Sequence, residues 1–216
     1  PDYQTQCGCT DIMMHTMERY FNMSEDMELT DGISEALIKT VMKHSKILKE
    51  HPDCYESRAE VMWASSLSHN GLTGCGTDGG DWACHQLEHE IGGMFDVAHG
   101  AGLAAVWGSW ARYVYKARPE RFAKFARNIF DIQETDDEKA AVAGIEAMES
   151  YYRSVGMPTS LCELGIHATE EQIKEMADKC SFYGKRTVGV MRKIGAPEAS
   201  EIYRMANDKS IPLYSR

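Results

Sequence analysis

The sequence lacks long apolar runs and clusters of positive charge, and each absence excludes a class of protein. No apolar stretch approaches the ~20 residues that a transmembrane helix needs, and the first residues show no signal-peptide pattern. The 23 Lys and Arg residues are outnumbered by 33 Asp and Glu residues, which gives a net charge of −10 without a basic stripe. We therefore expect neither a membrane protein nor a nucleic-acid-binding protein.

The sequence also lacks a regular cysteine pattern and the alternation that is typical of β-strands. The seven cysteines are odd in number and irregularly spaced, which predicts reduced thiols in a cytoplasmic protein. No stretch of five or more residues alternates between apolar and polar side chains as a half-buried strand would. Apolar residues recur instead at helical spacing along most of the chain. The sequence therefore predicts an all-α domain.

Local signals place the ends of several helices. Apolar spacing predicts a helix over residues 5–22, and Asp31 is expected to cap a second helix. Asp81 is expected to cap a helix that carries His85, a helix is expected from residue 103 to 115, and Pro119 is expected to begin a helix ending near residue 130. Three capping boxes are predicted, at Ser57-x-x-Glu60, Thr135-x-x-Glu138 and Thr169-x-x-Gln172.

The stretch from Gly71 to Gly80 contains five glycines and reads as a loop. It includes Gly74-Cys-Gly-Thr-Asp-Gly79, which matches the G-x-G-x-x-G string of dinucleotide-binding proteins. That fingerprint must follow a strand and begin a helix within a βαβ unit. Here a predicted helix precedes it and no strand follows. We interpret it as a loop without a phosphate-binding role.

Histidine is concentrated in one part of the chain. Three of the eight histidines, His85, His89 and His99, lie within fifteen residues. His85 and His89 are four residues apart, as are Asp11 and His15, so each pair projects from one face of a helix. A carboxylate with imidazoles suits Zn²⁺ or Fe²⁺ better than Ca²⁺ or Mg²⁺. The five residues are candidates for one divalent-metal site.

Two other interpretations of the histidine cluster remain open at this point. His85-Gln-Leu-Glu-His89 matches the H-x-x-E-H string of inverted zinc peptidases, in which Glu88 would be the general base. That interpretation leaves Asp11, His15 and His99 without a role. Alternatively, a non-catalytic helical domain could keep a metal ion as a purely structural fastener.

Several segments resemble the iron-dependent (group III) alcohol dehydrogenases, and within that family the butanol dehydrogenase branch. The similarity is carried by DIMMHTMERYF from Asp11, WASSLSHNG from Trp63, HQLEHE from His85 and FDVAHGAGL from Phe95. Members of the family have an N-terminal α/β nucleotide-binding domain followed by an all-helical metal-binding domain. The resemblance implies that residues 1–216 form the second domain, which is the helical bundle-like C-terminal domain of the dehydroquinate synthase-like fold.

The resemblance also implies a site and a chemistry. It assigns as metal ligands four residues, here called the ligand set: Asp11, His15, His85 and His99. His89 would line the cleft as a catalytic residue and relay a proton. Trp63, Phe95 and Trp107 are candidates for an apolar pocket wall, and ordinary core packing is an equally good interpretation for each of them.

The implied cofactors are Fe²⁺ or Zn²⁺ together with NADPH or NADH. The implied substrate is a small alcohol or aldehyde, and the implied assembly is a homodimer. The chain begins at Pro1 without an initiator Met, which indicates either a removed pro-segment or, as we favour, the C-terminal part of a longer protein. Because the sequence resembles only the second domain of the family, we expect the nucleotide-binding domain to be absent from these 216 residues.

Overall fold

The computed structural model describes residues 1–25 and 27–208, and this part of the chain is all-helical, as predicted. Its only strand-like feature is one antiparallel bridge between Val188 and Ile194. The described residues form nine α-helices: α1 (Asp2–Tyr20), α2 (Glu28–Glu50), α3 (Tyr55–His69), α4 (Ala83–Phe95), α5 (His99–Val114), α6 (Pro119–Phe130), α7 (Asp137–Ser154), α8 (Glu170–Cys180) and α9 (Ala196–Asn207). None of these helices is long and apolar enough to span a membrane.

Some helix ends lie where local sequence signals placed them. Helix α6 begins at Pro119, whose missing N–H and fixed φ suit the first turn of a helix. The capping box before α8 is present: the Thr169 hydroxyl accepts from the backbone N–H of Gln172, and the Gln172 side chain accepts from that of Thr169. Asn70 ends α3, and Gly71 follows at a φ of 89°.

Other capping predictions are wrong because tertiary contacts use the side chains differently. Asp31 lies inside α2, where its buried carboxylate accepts from both terminal nitrogens of Arg121. Ser57 lies inside α3, buried, with its hydroxyl 3.0 Å from Nδ1 of His44. Asp136, rather than Thr135, caps α7. The central helix α5 begins at His99, four residues earlier than predicted.

Helix α5 lies at the centre of the fold. Thirteen of its sixteen residues are buried, and it packs against α1, α4, α7 and α9. Trp107 on this helix is fully buried in the core. Of the two roles considered for Trp107, core packing is therefore the one that the structure supports. Met13, Met14 and Met17 fill the neighbouring face of α1, where they are fully buried.

A glycine lets α1 and α5 approach closely. A Cβ atom at Gly100 would lie 2.1 Å from the carbonyl oxygen of Cys7, a distance that no larger residue could adopt without separating the helices. The contact lies one residue after His99 and one turn before Asp11 on its helix. The close crossing therefore brings Asp11 on α1 near His99 at the beginning of α5.

Candidate metal centre

The first candidate pair of ligands lies on one face of α1. Asp11 and His15 are separated by four residues, and Nε2 of His15 lies 3.6 Å from Oδ1 of Asp11. Both side chains are partly exposed, with 26% and 21% of their surface accessible. A helix places such i, i+4 side chains next to each other without any help from the rest of the fold.

The other two candidates come from the beginnings of α4 and α5. His85 lies in the first turn of α4, and its Nε2 is 3.3 Å from Oδ1 of Asp11. His99 is the first residue of α5, and its Nε2 is 3.5 Å from that same oxygen. Asp96, in the left-handed region with a φ of 51°, ends α4 and turns the chain towards His99. Three helices thus contribute to one point.

The donor atoms fit a divalent transition-metal ion. Three imidazole Nε2 atoms lie 3.3–3.6 Å from one carboxylate oxygen. Neighbouring ligand atoms of a tetrahedral zinc site, with bonds of about 2.1 Å, are separated by about 3.4 Å. The ligand atoms of Asp11, His15 and His85 all lie within 4.8 Å of one another. The chemistry of this donor set, nitrogen with one oxygen, matches Zn²⁺ or Fe²⁺.

A second acidic and histidine group overlaps the first. Glu88, His89 and His99 also offer ligand atoms within 4.8 Å of one another. The carboxylate of Glu88, however, is already hydrogen bonded to Nδ1 of His99. Nε2 is the nitrogen of His99 that faces Asp11, so His99 could bind a metal ion together with the group around Asp11.

Two buried glutamates lie behind the histidines. The sequence reasoning missed Glu18 and considered Glu88 only as the general base of the peptidase interpretation. Glu18 on α1 binds Nδ1 of His85, and Glu88 on α4 binds Nδ1 of His99. Each residue is no more than 1% exposed. Glu18 could have been found, because it lies seven residues after Asp11 and three after His15, on the same face of α1. Nothing local links Glu88 to His99, eleven residues away.

The carboxylates give the imidazoles unequal proton affinities. Burial lowers the pKa of His85, but hydrogen bonds with Asp11 and Glu18 outweigh burial and raise it to about 9. Hydrogen bonds with Asp11 and Glu88 raise the pKa of His99 to about 10. Burial lowers the pKa of His15 to about 4, against the attraction of Asp11. The site is therefore an environment that favours positive charge at two of its three imidazoles.

Asp11 itself stays ionised across the physiological range. Burial raises its pKa, but hydrogen bonds from His85 and His99 and the charge of His15 outweigh burial. The net effect holds the pKa of the Asp11 carboxyl well below its usual range. An ionised carboxylate at the centre of three imidazoles is the anion that a divalent cation requires.

The aromatic ring of Trp82 lies beside the ligand set. The ring of Trp82 lies 5.4 Å from that of His15 and 5.5 Å from that of His85, measured between centroids. Trp82 adopts a left-handed φ of 58°, and its indole N–H donates to the carbonyl of Gly79 at 2.6 Å. Non-glycine residues with such a φ are uncommon and concentrate at functional sites. The sequence did not mark Trp82 as a site residue.

His69 and His89 lie at the exposed edge of the site. The ring of His69 is 4.0 Å from that of His15, and its Nε2 is 3.7 Å from Oδ2 of Asp11. The ring of His89 is 5.8 Å from that of His99. Both residues are exposed, so they lie between the ligand set and solvent. Of the predicted pocket wall, Trp63 is exposed and Phe95 is partly buried.

Comparison with known proteins agrees with this architecture. The sequence profile of the Fe-containing alcohol dehydrogenase family, C-terminal part, matches residues 5–206. The chain belongs to the iron-containing alcohol dehydrogenase family. It is 37% identical over 206 residues to NADH-dependent butanol dehydrogenase A of Clostridium acetobutylicum, and these residues cover 94% of this chain and 52% of that protein.

Further relatives support the same assignment. The chain is 30% identical over 207 residues to the NADPH-dependent aldehyde reductase YqhD of Escherichia coli, which covers 95% of this chain and 52% of that protein. The crystal structure of NADH-dependent butanol dehydrogenase A from Thermotoga maritima superposes with a TM-score of 0.90 at 35% identity, and covers 96% of this chain and 53% of that one. The chain thus spans about half the length of the relatives that it matches.

Proposed function

We propose that this chain is the metal-binding half of an NAD(P)-dependent alcohol dehydrogenase or aldehyde reductase. In this proposal the ligand set holds one Fe²⁺ or Zn²⁺ ion. The observation that supports it most strongly is the approach of three imidazole Nε2 atoms to one oxygen of Asp11. Scattered structural histidines have no reason to share a single carboxylate oxygen.

The chemistry follows from the charges and exposure of the side chains. A divalent ion bound by one carboxylate and three neutral imidazoles would act as a Lewis acid on a substrate oxygen. Asp11, His15 and His99 are partly exposed, so a small alcohol or aldehyde can reach the ligand set from solvent. Trp82 lies against the rings of His15 and His85 and would cover that side of the ligand set.

His89 is proposed as the group that exchanges a proton between substrate and solvent. It is exposed, lies one helical turn after His85, and its ring is 6.2 Å from that of His85. At this distance it is beside the ligand set rather than part of it. A positioned imidazole is the commonest general acid–base group in proteins.

The hydride would come from a nicotinamide cofactor. Several relatives are named as NADH-dependent butanol dehydrogenases, and one as an NADPH-dependent aldehyde reductase. We propose that NADH or NADPH is held mainly by a nucleotide-binding domain outside these 216 residues. We also propose a small alcohol or aldehyde as substrate, a homodimeric assembly and a cytoplasmic location.

The position of Glu88 argues against the peptidase interpretation. A general base must be able to reach a water molecule at the metal. Glu88 is 1% exposed and its carboxylate is bonded to His99, so it is turned away from solvent. A catalytic metal is favoured over a purely structural one because Asp11, His15 and His99 are accessible to a substrate from solvent.

Metal analysis of single variants tests the proposal. After reconstitution with Zn²⁺, and with Fe²⁺ without oxygen, the parent chain should hold about one ion per chain. His85→Ala should lose most of that occupancy, because it removes the most buried imidazole of the set. His51→Ala, at the C-terminal end of α2, is the matched control and should retain the metal. Full occupancy in His85→Ala would overturn the assignment.

A further inference from the structure

We propose that Glu18 and Glu88 are positioning residues that hold His85 and His99 with Nε2 towards the metal, and that His15 is the one imidazole ligand without such support. This inference rests on the metal site of the proposed function. It goes further by dividing the ligand set into two anchored ligands and one unanchored ligand. The division follows from the hydrogen bonds at the three Nδ1 atoms.

Glu18 binds a single residue with both of its oxygens. Its Oε2 is hydrogen bonded to Nδ1 of His85, and its Oε1 accepts from the backbone N–H of His85 at 3.0 Å. The residue is fully buried on α1. One carboxylate therefore sets both the place of His85 on the first turn of α4 and the rotation of its ring.

Glu88 lies in a slot that two glycines leave open. A Cβ atom at Gly102 would be 2.5 Å from Oε1 of Glu88 and 2.8 Å from its Cγ. A Cβ atom at Gly92 would be 3.1 Å from the same oxygen. Oε1 is buried without a hydrogen-bond partner, while Oε2 is bonded to Nδ1 of His99. A carboxyl group buried in this way needs a polar partner, and His99 is the partner present.

These bonds determine which imidazole nitrogen faces the site. A carboxylate accepts a hydrogen bond but cannot donate one while ionised, so Nδ1 must carry the proton. In the neutral ring, Nε2 then keeps its lone pair, and in both histidines Nε2 is the atom near Oδ1 of Asp11. Such carboxylate–histidine–metal arrangements orient ligands and increase their basicity.

His15 differs from the other two histidines. Its Nδ1 is buried and has no hydrogen-bond partner. No hydrogen bond at Nδ1 therefore selects its tautomer, in contrast to His85 and His99. We infer that His15 is the ligand whose bond to the metal is weakest and the most easily changed when substrate binds.

Binding of Co²⁺ tests the inference, because its visible absorption reports the geometry of its ligands. Glu18→Gln and Glu88→Gln keep the side-chain shape but remove the charge and replace one of the two acceptor oxygens by a donor NH2 group. Each should weaken Co²⁺ binding by about 10–100-fold and alter the absorption bands. Glu149→Gln is the matched control, since Glu149 is a buried carboxylate that pairs with Arg112 away from the site. It should leave affinity and spectrum unchanged.

The outcomes separate the inference from the metal site itself. If the parent chain binds no Co²⁺, the metal site fails and the inference fails with it. If the parent binds Co²⁺ and both glutamine variants match it in affinity and spectrum, the metal site stands and the positioning role is refuted. A loss in Glu149→Gln as large as in the others also refutes it, because general destabilisation would then explain both. Glu88→Asp, which keeps the charge but shortens the reach, should give an intermediate affinity even if Glu88→Gln does not fold.

Discussion

Metal binding should release about two protons at neutral pH, and the structure says which two. The pKa of His85 is raised to about 9 and that of His99 to about 10, so both rings are protonated at pH 7 when no cation is bound. The pKa of His15 is lowered to about 4, so this ring is already neutral. Only a deprotonated Nε2 can bind a metal ion. Two of the three imidazoles must therefore lose a proton.

The size of the effect follows from that count. With two protons displaced, the apparent affinity should rise about 100-fold for each unit of pH, up to the pKa of His85. Above about pH 9 only His99 still competes, and the slope should fall to about tenfold per unit. Asp11 adds nothing to the slope near neutrality, because its pKa lies well below this range.

Two measurements check the prediction. Competition with a chromophoric chelator between pH 6 and 8 gives the apparent Zn²⁺ affinity, after correction for protonation of the chelator. Calorimetric titration at pH 7 in buffers of different ionisation enthalpy counts the released protons directly. His51→Ala, outside the site, should give the same count as the parent chain. A slope near zero, or release of no protons, would refute the reasoning.

Three further predictions follow from the site and the fold. In the full-length enzyme, His89→Asn should keep the metal but reduce kcat or change its pH dependence, by up to about 10²–10⁴-fold; an unchanged pH–rate profile would return His89 to a structural role. The isolated 216-residue chain should not reduce butanal with NADH or NADPH, because the nicotinamide must be held within about 3–3.5 Å of the substrate carbon. Such positioning lowers the activation free energy by about 7–11 kcal/mol. Steady consumption of NADH or NADPH above that of a metal-stripped control would contradict this prediction. Gly100→Ala should lower the free energy of unfolding by about 1–3 kcal/mol in denaturant titrations and reduce metal occupancy, since its Cβ would meet the Cys7 carbonyl. Gly8→Ala, on α1 next to Cys7, is the matched control because its Cβ would meet nothing within 4 Å, and equal stabilities of the two variants would count against the close crossing.

The local sequence was sufficient to predict features that depend only on residues within one or two helical turns. The i, i+4 spacing of Asp11 and His15 needs only a helix, and the helix is present. Pro119 and the Thr169 capping box begin helices because their effects act within one turn. The long segments shared with a known family predicted the all-α class and the family itself, and both predictions are confirmed.

Tertiary structure decided which polar side chains serve the fold and which serve the site. Asp31 was expected at a helix end but pairs inside the protein with Arg121. Trp107 was a candidate for a pocket wall or for the core, and it fills the core. Trp82 was not expected at the site and lies against His85 and His15. The pairs Asp31–Arg121 and Trp82–His15 are far apart in sequence, and spacing rules do not include such contacts.

Contacts between distant segments also explain why Glu18 and Glu88 bind the histidines. Glu18 and His85 are 67 residues apart, and they meet because α1 and α4 both pack on the central helix. Glu88 reaches His99 through a slot that exists only because Gly92 and Gly102 carry no side chain. The sequence by itself determined which donor atoms were available and which helix carried each of them. Only the packing of the helices determined that three imidazoles share one carboxylate oxygen, because that position is set by contacts between segments and not within them.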